Sequence, residues 1–367
     1  MFKTIANSLE QKNHKVWVIT NDVRGEKYQE SDNLRIIRVE PTLRYRGGLP
    51  PNFLDNIRYV FNAYKKGREI VKKEKIDLVH SNNFSPALAG SLISMFAKVP
   101  HITTIHDVFS VFDKKFWKKW ASQSGVSYTN ARLVPLFERI MMKFRFDCIH
   151  TVSDATKKDI QSLGTNKPIY VIPNCLQDEQ PYVAEKKDMQ FLYLGRLVFY
   201  KNVEVVLQAL KIVSEEFPDV KLLVAGDGPH KESLQKLSTD MKLCNNVTFL
   251  GYVTPEEKKR LLASSKALLF PSIIEGFGLV ILESFQQKRP VIVSDVPPMS
   301  DIVENKKTGL VVDPHDKKKW VDAVVWMINN PQALDKMGEE GNHVLKTKYS
   351  QELFYDNIMK MYNDVLK

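Results

Sequence analysis

Ala267-Leu268-Leu269-Phe270 is an apolar run that predicts a buried strand, and Glu275-Gly276-Phe277-Gly278-Leu279-Val280-Ile281-Leu282-Glu283 follows as a glycine-bearing turn that leads into a helix. Polar side chains are therefore expected at the carboxyl end of a strand, where α/β sheets commonly bind phosphates. If the run is helical, the two carboxylates lie at most about 12 Å apart along the axis. That spacing suits opposite ends of one elongated ligand better than the catalytic pair of a glycoside hydrolase, which needs roughly 5 to 9.5 Å.

Apolar strand-like runs alternate with helical patterns along the rest of the chain. The first strand series is Val16 to Thr20, Leu34 to Val39, Asp77 to His80, His101 to Ile105, Cys148 to Val152 and Ile169 to Ile172. The second series is Phe191 to Leu194, Val220 to Ala225, Val247 to Leu250, Ala267 to Phe270, Val291 to Val293 and Leu310 to Val312. Helical patterns between them include Phe53 to Lys73, Pro86 to Ala97, Arg132 to Phe144, Asp154 to Leu163, Val203 to Glu216 and Lys231 to Lys242. This alternation predicts an α/β protein with two parallel sheets and crossover helices.

The length of 367 residues also favours two domains, because a single core rarely serves a chain of this size. A polar stretch from Asn174 to Asp188 separates the two strand series and is typical of a linker. We therefore predict a first domain over 1–175 and a second over 176–347. The last segment, 348–367, is a candidate helix that crosses back to the first domain.

Composition narrows the class of protein. With 43% hydrophobic and 26% charged residues, the chain can bury a sizeable core. Its three cysteines, Cys148, Cys175 and Cys244, are far apart and lack Cys-x-x-Cys spacing, so the sequence suggests neither a disulfide framework nor a zinc site. The most apolar segment, Pro86 to Val99, is too short to span a bilayer, and no signal-peptide pattern is present. We therefore expect a cytoplasmic protein.

The net charge of +10 is concentrated in the first half, where residues 1–178 hold 28 Lys and Arg against 17 Asp and Glu. Two segments, Phe112 to Trp120 and Arg139 to Phe146, interleave basic with aromatic or apolar residues. Such segments can lie on an anionic membrane surface, here the inner face as a peripheral protein. Equally, they can be ordinary helices whose aromatic side packs in a core. We find no nucleic-acid-binding motif, so no nucleic-acid partner is expected.

Polar residues also follow several other predicted strands. His106-Asp107, Ser153-Asp154, Gly195-Arg196 and Gly226-Asp227-Gly228-Pro229 each come directly after a strand. Alone, each has a simple structural explanation: a satisfied loop histidine, a helix cap or a turn. Arg196 and Lys201, however, flank a helix start at Asn202, and a bound diphosphate needs fixed positive charge of this kind.

Together these residues resemble the retaining nucleotide-sugar transferases of glycosyltransferase family 4, also called glycosyl transferases group 1. The resemblance covers nearly the whole chain. Its carriers are Gly195-Arg196-Leu197 with Lys201-Asn202, Gly226-Asp227-Gly228-Pro229, the run from Glu275 to Glu283, Ile105-His106-Asp107, Thr151-Val152-Ser153 and Ile172-Pro173-Asn174. The resemblance implies a GT-B fold, in which two Rossmann-like domains face each other across a cleft.

The resemblance also implies roles for the candidate site residues. Arg196 and Lys201 would neutralise the donor diphosphate, and Glu283 would hold the ribose hydroxyls. Glu275 would contact the sugar hydroxyls, and His106 would lie beside the reacting carbon. The remaining donor-binding residues would be Gly195, Gly226, Asp227, Gly228, Gly276, Phe277, Gly278 and Leu279. The leaving phosphate would accept the proton of the acceptor, and neither a metal nor a cofactor is expected beside the nucleotide-sugar substrate.

The expected function is transfer of a sugar to a glycan or lipid-linked acceptor, in the synthesis of a glycoconjugate or surface polysaccharide. A glycogen-type or sucrose-type synthase is disfavoured by the short chain and its basic first half. The alternative from another class is a sugar-nucleotide-binding homologue that does not catalyse transfer.

Two departures from the family pattern stand out. Cys175 follows Asn174 where family members usually carry glycine. In addition, Met1 to Lys12 already predicts a helix, so the strand and glycine-rich loop that open family members have no counterpart here. The sequence therefore predicts that Val16 to Thr20 has an open edge, and that the natural protein starts about 15 to 20 residues earlier with a strand and loop. The alternative is a sheet that closes around the missing strand.

Overall fold

Parallel strands joined by crossover helices build both units of the chain. The computed structural model describes residues 2–23, 30–43, 53–124, 133–183 and 189–367. Unit 1 comprises Met1–Phe112, Arg132–Pro173 and Gln351–Lys367, and unit 2 comprises Asp113–Ala131 and Asn174–Ser350. The predicted α/β class with two Rossmann-like parallel domains is confirmed.

Unit 1 has its strands in two sheets. Its strands are β1 (Val16–Val23), β2 (Leu34–Leu43), β3 (Val79–Asn82), β4 (His101–Ile105), β5 (Cys148–Thr151) and β6 (Ile169–Val171). Its helices are α1 (Phe2–Gln11), α2 (Phe53–Lys73), α3 (Ser85–Ala97), α5 (Val134–Met141), α6 (Asp154–Ser162) and α14 (Gln351–Leu366). A parallel pair β1-β2 forms one sheet, and the order β3-β4-β5-β6 forms the other.

Within the described residues, β1 has no strand neighbour other than β2. Over the part of the chain that the structure describes, the open edge predicted for Val16 to Thr20 is therefore present, and β1 and β3 are not paired. The central strands β4 and β5 are buried throughout, which is expected for parallel strands covered on both faces. Ser153 caps α6, since its Oγ accepts a hydrogen bond from Thr156 N at 3.1 Å, as the capping interpretation predicted.

A chain of buried hydrogen bonds joins α14 to the larger sheet of unit 1. His150 Nε2 donates to the carbonyl oxygen of Ile172 at 3.0 Å, because a carbonyl can only accept. The neutral ring of His150 therefore accepts from Thr104 Oγ1 at 3.0 Å through Nδ1. Thr104 in turn accepts from His80 Nε2, and His80 Nδ1 accepts from Tyr362 of α14, both at 2.7 Å. One carbonyl thus determines the tautomers of two histidines.

Unit 2 contains one six-stranded parallel sheet. Its strands are β7 (Gln190–Leu194), β8 (Lys221–Ala225), β9 (Val247–Gly251), β10 (Ala267–Phe270), β11 (Val291–Ser294) and β12 (Gly309–Val312). Its helices are α4 (Lys114–Ser124), α7 (Val203–Glu216), α8 (Lys231–Asp240), α9 (Pro255–Ser264), α10 (Leu279–Gln286), α11 (Met299–Ile302), α12 (Lys317–Asn329) and α13 (Pro331–Lys348), with a 3₁₀ turn over Phe199–Lys201.

The strand order in unit 2 is β12-β11-β10-β7-β8-β9, so the direction of winding reverses between β7 and β10. In open α/β sheets, ligands bind outside the carboxyl ends of the strands at such a reversal. The segments that follow β7 and β10 carry Lys201 and Glu275. The topology therefore points to these two segments before any side chain is considered.

Two boundaries differ from the sequence analysis. Described residues 113–124 group with unit 2, although the sequence analysis placed them in the first domain. The last helix starts at Gln351 and belongs to unit 1, where Gln351 Nε2 donates to Ser8 Oγ of α1 at 3.1 Å. Residues 184–188 of the predicted linker lie outside the described residues, as do 44–52 and 125–132.

Candidate active site

Close backbone contact explains two of the predicted site glycines. The loops after β7 and β8 are joined by hydrogen bonds from Gly195 N to Ala225 O at 3.0 Å and from Leu197 N to Asp227 O at 2.9 Å. A Cβ at Gly226 would lie 1.9 Å from the oxygen of Gly195, and one at Gly228 would lie 2.3 Å from the oxygen of Leu197. A side chain at either position would force the two loops apart.

Lys201 and Glu275 form an ion pair across the winding reversal, although they are 74 positions apart. Lys201 ends the 3₁₀ turn before α7, and its Nζ also lies 3.5 Å from the carbonyl oxygen of Ile274. The two side chains are 14% and 13% exposed. The ammonium lies over the rings of Tyr200 and Phe270, at 5.4 and 5.7 Å from their centroids. A positive charge is therefore held in place here, beside a carboxylate and partly shielded from water.

The segment after Glu275 ends at a helix N-terminus that has no side-chain cap. Gly278 is the N-cap of α10 with a φ of 93°, a left-handed conformation that favours glycine. Phe277 is buried, and its ring lies 5.8 Å from that of Tyr349. Phe277 therefore anchors the turn by packing in the core. Gly276 and Leu279 are half-buried. Uncapped N–H groups with the positive end of a helix dipole attract anions.

Glu283 lies one turn into α10 and pairs with a lysine that the sequence analysis did not identify. Lys258 Nζ of α9 contacts Glu283 Oε1 at 2.5 Å, with side-chain exposures of 29% and 21%. The pair borders a cavity of about 190 Å³ whose other lining residues include Leu262, Gln286 and Gln287. No local pattern marks Lys258, because its partner lies 25 positions away on a different helix.

The other predicted charged residues of unit 2 are more exposed. Arg196 is exposed, and its carbonyl oxygen accepts a hydrogen bond from Tyr193 Oη at 2.9 Å. Asp227 Oδ1 accepts from Gly228 N at 2.8 Å, and its other oxygen lies 3.5 Å from Lys231 Nζ. Asp227 thus shapes the turn after β8, as the turn interpretation predicted.

A second pair of ionisable side chains that the sequence did not reveal lies next to the loops after β7 and β8. His230 Nε2 contacts Glu204 Oε1 at 2.5 Å, and His230 N donates to the carbonyl oxygen of Leu197 at 2.9 Å. Burial is the largest influence on Glu204 and disfavours its ionisation, but the bond from His230, a backbone hydrogen bond and the nearby positive charge together hold the pKa of Glu204 below its usual value. The pair ties the first turn of α7 to the start of α8. It therefore supports the loop that carries Lys201.

Helix α4 packs its aromatic side against the Lys201 turn. Phe116 lies 5.3 Å from Phe199 and 6.1 Å from Tyr200, measured between ring centroids. Lys119 Nζ lies 4.6 Å from the centroid of Phe199, and Trp117 is buried. In the segment Phe112 to Trp120, the structure therefore favours packing of the aromatic side in a core. The same holds in unit 1 for Met141, Met142 and Phe146 of the second basic segment, which are buried.

His106 follows β4 in unit 1, on a loop held by an acidic side chain that the sequence analysis missed. Glu138 of α5 is 2% exposed and accepts hydrogen bonds from Phe109 N at 2.9 Å and Ser110 N at 2.7 Å. Burial raises the pKa of Glu138, although these bonds oppose the shift. Burial, together with the nearby His150, lowers the pKa of His106 to about 4, so the ring is neutral at pH 7.

Comparison with known proteins identifies the family. A family model described as Glycosyl transferases group 1 matches residues 177–344, and one described as Glycosyltransferase Family 4 matches residues 1–180. Together the two models cover residues 1–344, which include every candidate site residue. This chain belongs to the glycosyltransferases of group 1 and family 4.

Relatives of this glycosyltransferase match over most of its length. An uncharacterized glycosyltransferase of Methanocaldococcus jannaschii is 23% identical and covers 100% of this chain and 92% of its own. The alpha-monoglucosyldiacylglycerol synthase of Streptococcus pneumoniae is 25% identical and covers 86% of this chain and 71% of its own.

Solved structures establish the GT-B fold of this glycosyltransferase. The sucrose-phosphate synthase of Thermosynechococcus elongatus superposes with a TM-score of 0.79 at 18% identity, covering 99% of this chain and 92% of that one. HepE of Anabaena, solved in complex with UDP-glucose, gives a TM-score of 0.70 at 16% identity and covers 90% of this chain and 86% of its own.

The described residues also bear on metal binding and on membrane insertion. Across the described ranges, no group of three or more His, Cys, Asp or Glu side chains is placed to hold a metal ion. The expected independence of metal stays a prediction. In the same part of the chain, no helix is both long and apolar enough to cross a membrane.

Proposed function

We propose that this glycosyltransferase moves a sugar from a nucleotide-sugar donor to a glycan or lipid-linked acceptor, with retention of configuration at the sugar carbon. The observation that carries the proposal is the ion pair of Lys201 and Glu275 at the winding reversal of unit 2, next to the uncapped start of α10. A fixed cation, a carboxylate and a helix N-terminus are the groups that an anionic sugar donor requires.

The proposed roles follow from the charges that develop as the sugar–phosphate bond breaks. Negative charge grows on the leaving diphosphate, where Lys201, Arg196 and the N–H groups of α10 stabilise it. The sugar gains oxocarbenium character, which the carboxylate of Glu275 stabilises while it binds the sugar hydroxyls. Glu283 binds the ribose hydroxyls at the other end of the donor, in agreement with the spacing of the two carboxylates.

Retention in this proposal needs no protein nucleophile. The acceptor hydroxyl forms the new bond on the face that the phosphate leaves, and its proton passes to the leaving phosphate oxygen. His106 acts beside the reacting carbon as a neutral ring, because the pKa of about 4 keeps it uncharged at pH 7. No metal ion takes part in this scheme.

The acceptor and location are proposed from the relatives and from the composition. The pneumococcal relative is named as a synthase of a glycosylated diacylglycerol, and the Anabaena structure holds UDP-glucose. They support a nucleotide-sugar donor and a glycan or lipid-linked acceptor in glycoconjugate or surface polysaccharide synthesis. We place the enzyme in the cytoplasm, peripheral on the inner face of the membrane.

The proposal is tested by first screening nucleotide sugars for those that raise the melting temperature, and then assaying transfer from the stabilising one. We expect Glu275→Gln and Lys201→Met each to lower kcat/KM by about 10² to 10³, the typical loss when one preorganised group of this kind is removed. Lys236→Met, at an exposed position on α8, is the matched control and should retain parental turnover.

Lys201→Met leaves Glu275 without its partner and can lower stability. The double variant Lys201→Met/Glu275→Gln removes both charges, so it should melt near the parent while remaining inactive. If no nucleotide sugar stabilises the parent, or if both single variants turn over at the parental rate, the proposed function is wrong.

A further inference from the structure

Helix α2 presents a narrow stripe of apolar and basic side chains, all exposed except the half-buried Arg68. Leu54 and Phe61 are each 65% exposed, and Ile57 is 49% exposed. Counting 100° per residue, the stripe lies within a sector about 100° wide. Its members, from the amino to the carboxyl end of the helix, are Leu54, Ile57, Arg58, Phe61, Lys65, Arg68 and Lys72.

This stripe is not the face that packs α2 on its own unit. Tyr59 and Ala63, on the opposite side of the helix, are buried in a cluster with Val39 of β2 and Ala89 of α3. The core contact of α2 is therefore already satisfied. Large apolar side chains that are exposed in a row along a surface helix indicate a binding surface.

Helix α3 widens this surface. Leu92, Met95 and Phe96 are exposed on it, and Phe96 lies directly below two cations of α2. The guanidinium carbon of Arg68 is 4.2 Å from the centroid of Phe96, and Lys72 Nζ is 5.9 Å from it. We call the seven residues of the stripe together with Leu92, Met95 and Phe96 the α2–α3 face. A shallow groove of about 250 Å³ runs along it beside Phe61 and Lys65.

The charges of the α2–α3 face have one sign. Four of its ten members are Lys or Arg, and none is Asp or Glu. The nearest acids have partners of their own: Asp55 is buried 3.6 Å from Arg58, and Glu69 pairs with Lys66 at 2.7 Å. Glu69 also lines the groove beside Lys65, Arg68 and Lys72. The face thus combines an apolar row with a positive end whose charge Glu69 offsets only in part.

We propose that the α2–α3 face docks unit 1 on the surface of an anionic lipid bilayer. The row of Leu54, Ile57 and Phe61 would enter the boundary between headgroups and acyl chains, and Lys65 and Lys72 would meet lipid phosphates. Charge complementarity selects this occupant, because a second copy of the chain would bring four like charges against four. This inference rests on the proposed function, because a lipid-linked acceptor would explain why the enzyme binds to a membrane. It also differs from the two segments predicted from sequence, in which Trp117, Met141, Met142 and Phe146 are buried.

The test is sedimentation of the full chain with vesicles of phosphatidylglycerol and phosphatidylcholine, compared with vesicles of phosphatidylcholine alone. Lys65→Gln/Arg68→Gln/Lys72→Gln should weaken binding to the anionic vesicles on the order of 100-fold at low salt, about fivefold per cation. Binding of the parent should fall toward that of the triple variant at about 0.5 M salt. Leu54→Ser/Ile57→Ser/Phe61→Ser should lose the binding that persists in salt, and folding should be kept because these three sites are exposed. Arg68 is half-buried against Phe96, so the melting temperature of the basic variant is measured beside its vesicle binding.

The matched control is Lys236→Gln/Lys336→Gln/Lys346→Gln, which removes the same charge from exposed helix positions of unit 2. It should bind vesicles within about twofold of the parent, since it leaves the face intact. Equal weakening by the control would reduce the effect to net charge and overturn the proposal. So would absence of vesicle binding by the parent, or a dimer in solution that both face variants dissociate.

The failure of this inference is distinguishable from failure of the proposed function. Melting shifts with a panel of nucleoside diphosphates report only on unit 2, and both face variants should retain them. Vesicle binding with no such shift in any variant would overturn the function and keep the docking face. Parental melting shifts and sugar transfer to a water-soluble acceptor, with no vesicle binding, would keep the proposed function and overturn the docking face.

Discussion

Lys258 has no side-chain signal in the sequence, yet its contact with Glu283 makes it a positioning residue in the proposed site. If Glu283 binds ribose, removing the Lys258 cation should lower the affinity for the donor and for the nucleoside diphosphate product together, because both contain the ribose. We expect Lys258→Met to weaken both by about three- to tenfold. The pair is mostly buried, so this variant also strands the charge of Glu283 and should lower the melting temperature. Titration calorimetry with both molecules measures the two losses.

Glu275→Gln provides the contrast at the same scale. That carboxylate is assigned to the sugar, so its loss should weaken donor binding and leave the nucleoside diphosphate affinity unchanged. Lys258→Arg should restore most of what Lys258→Met loses, since it keeps a cation near Glu283. Should Lys258→Met weaken the donor alone, the ribose assignment of Glu283 would be wrong.

At the scale of elements, the loop after β4 depends on α5 through one carboxylate. Glu138→Gln replaces one accepting oxygen by an NH₂ group that faces a backbone donor, at a cost of about 1 to 3 kcal/mol. We expect faster amide hydrogen exchange at Phe109 and Ser110 and a lower kcat, because this loop carries His106. Donor affinity should be unchanged, since the proposed donor contacts lie in unit 2.

Glu352→Gln, at an exposed position of α14, is the control for the loss of one carboxylate. Since burial raises the pKa of Glu138, the carboxylate form is lost at a higher pH than usual. The loop bonds therefore weaken as the pH falls through that raised pKa, and kcat of the parent should fall with them. A Glu138→Gln enzyme with parental kcat and parental exchange rates would rule out this positioning role.

At the scale of the whole molecule, buried histidines make unit 1 sensitive to acid. Burial lowers the pKa of His101, His106 and His150 to about 4, and it lowers that of His80 well below the usual value. The unfolded chain binds protons near pH 6.5, whereas the folded chain does not. Stability is therefore complete above pH 6.5 and is lost as the pH falls toward 4. Between pH 7.5 and 5, each of the three histidines with a pKa of about 4 removes about 2 kcal/mol from the free energy of unfolding.

Urea unfolding at pH 7.5 and pH 5 measures this loss. We expect the urea midpoint of unit 1 to be lower at pH 5 than at pH 7.5. The fluorescence of the Trp residues of unit 2 should report a separate unfolding transition. His101→Gln should reduce the pH dependence of the free energy of unfolding by about the contribution of one histidine. A midpoint that stays constant between the two pH values would show that these rings are charged or hydrated in the folded state.

Local patterns account for most of what the sequence predicts correctly. All twelve predicted strands are present within a few residues, because a strand buried in a parallel sheet is a short apolar run that can be recognised without knowing its neighbours. The cap at Ser153 and the left-handed turn at Gly278 are likewise set by the residue and its nearest neighbours. The candidate site residues in the loops after β7, β8 and β10 could be predicted from the sequence for the same reason.

Contacts between distant residues were decided only by the tertiary structure. The order of strands in unit 2 brings Lys201 to Glu275 over 74 positions, and the packing of α9 on α10 brings Lys258 to Glu283. Likewise, α2 has apolar residues on two sides, and its periodicity alone does not say which side is buried. The sequence by itself determined the strands, the turns and the residue types of the site, since these depend on neighbours along the chain. Pairing of charges, support of loops and exposure of the α2 stripe depend on which elements pack together, and that is set by the burial of the whole sheet.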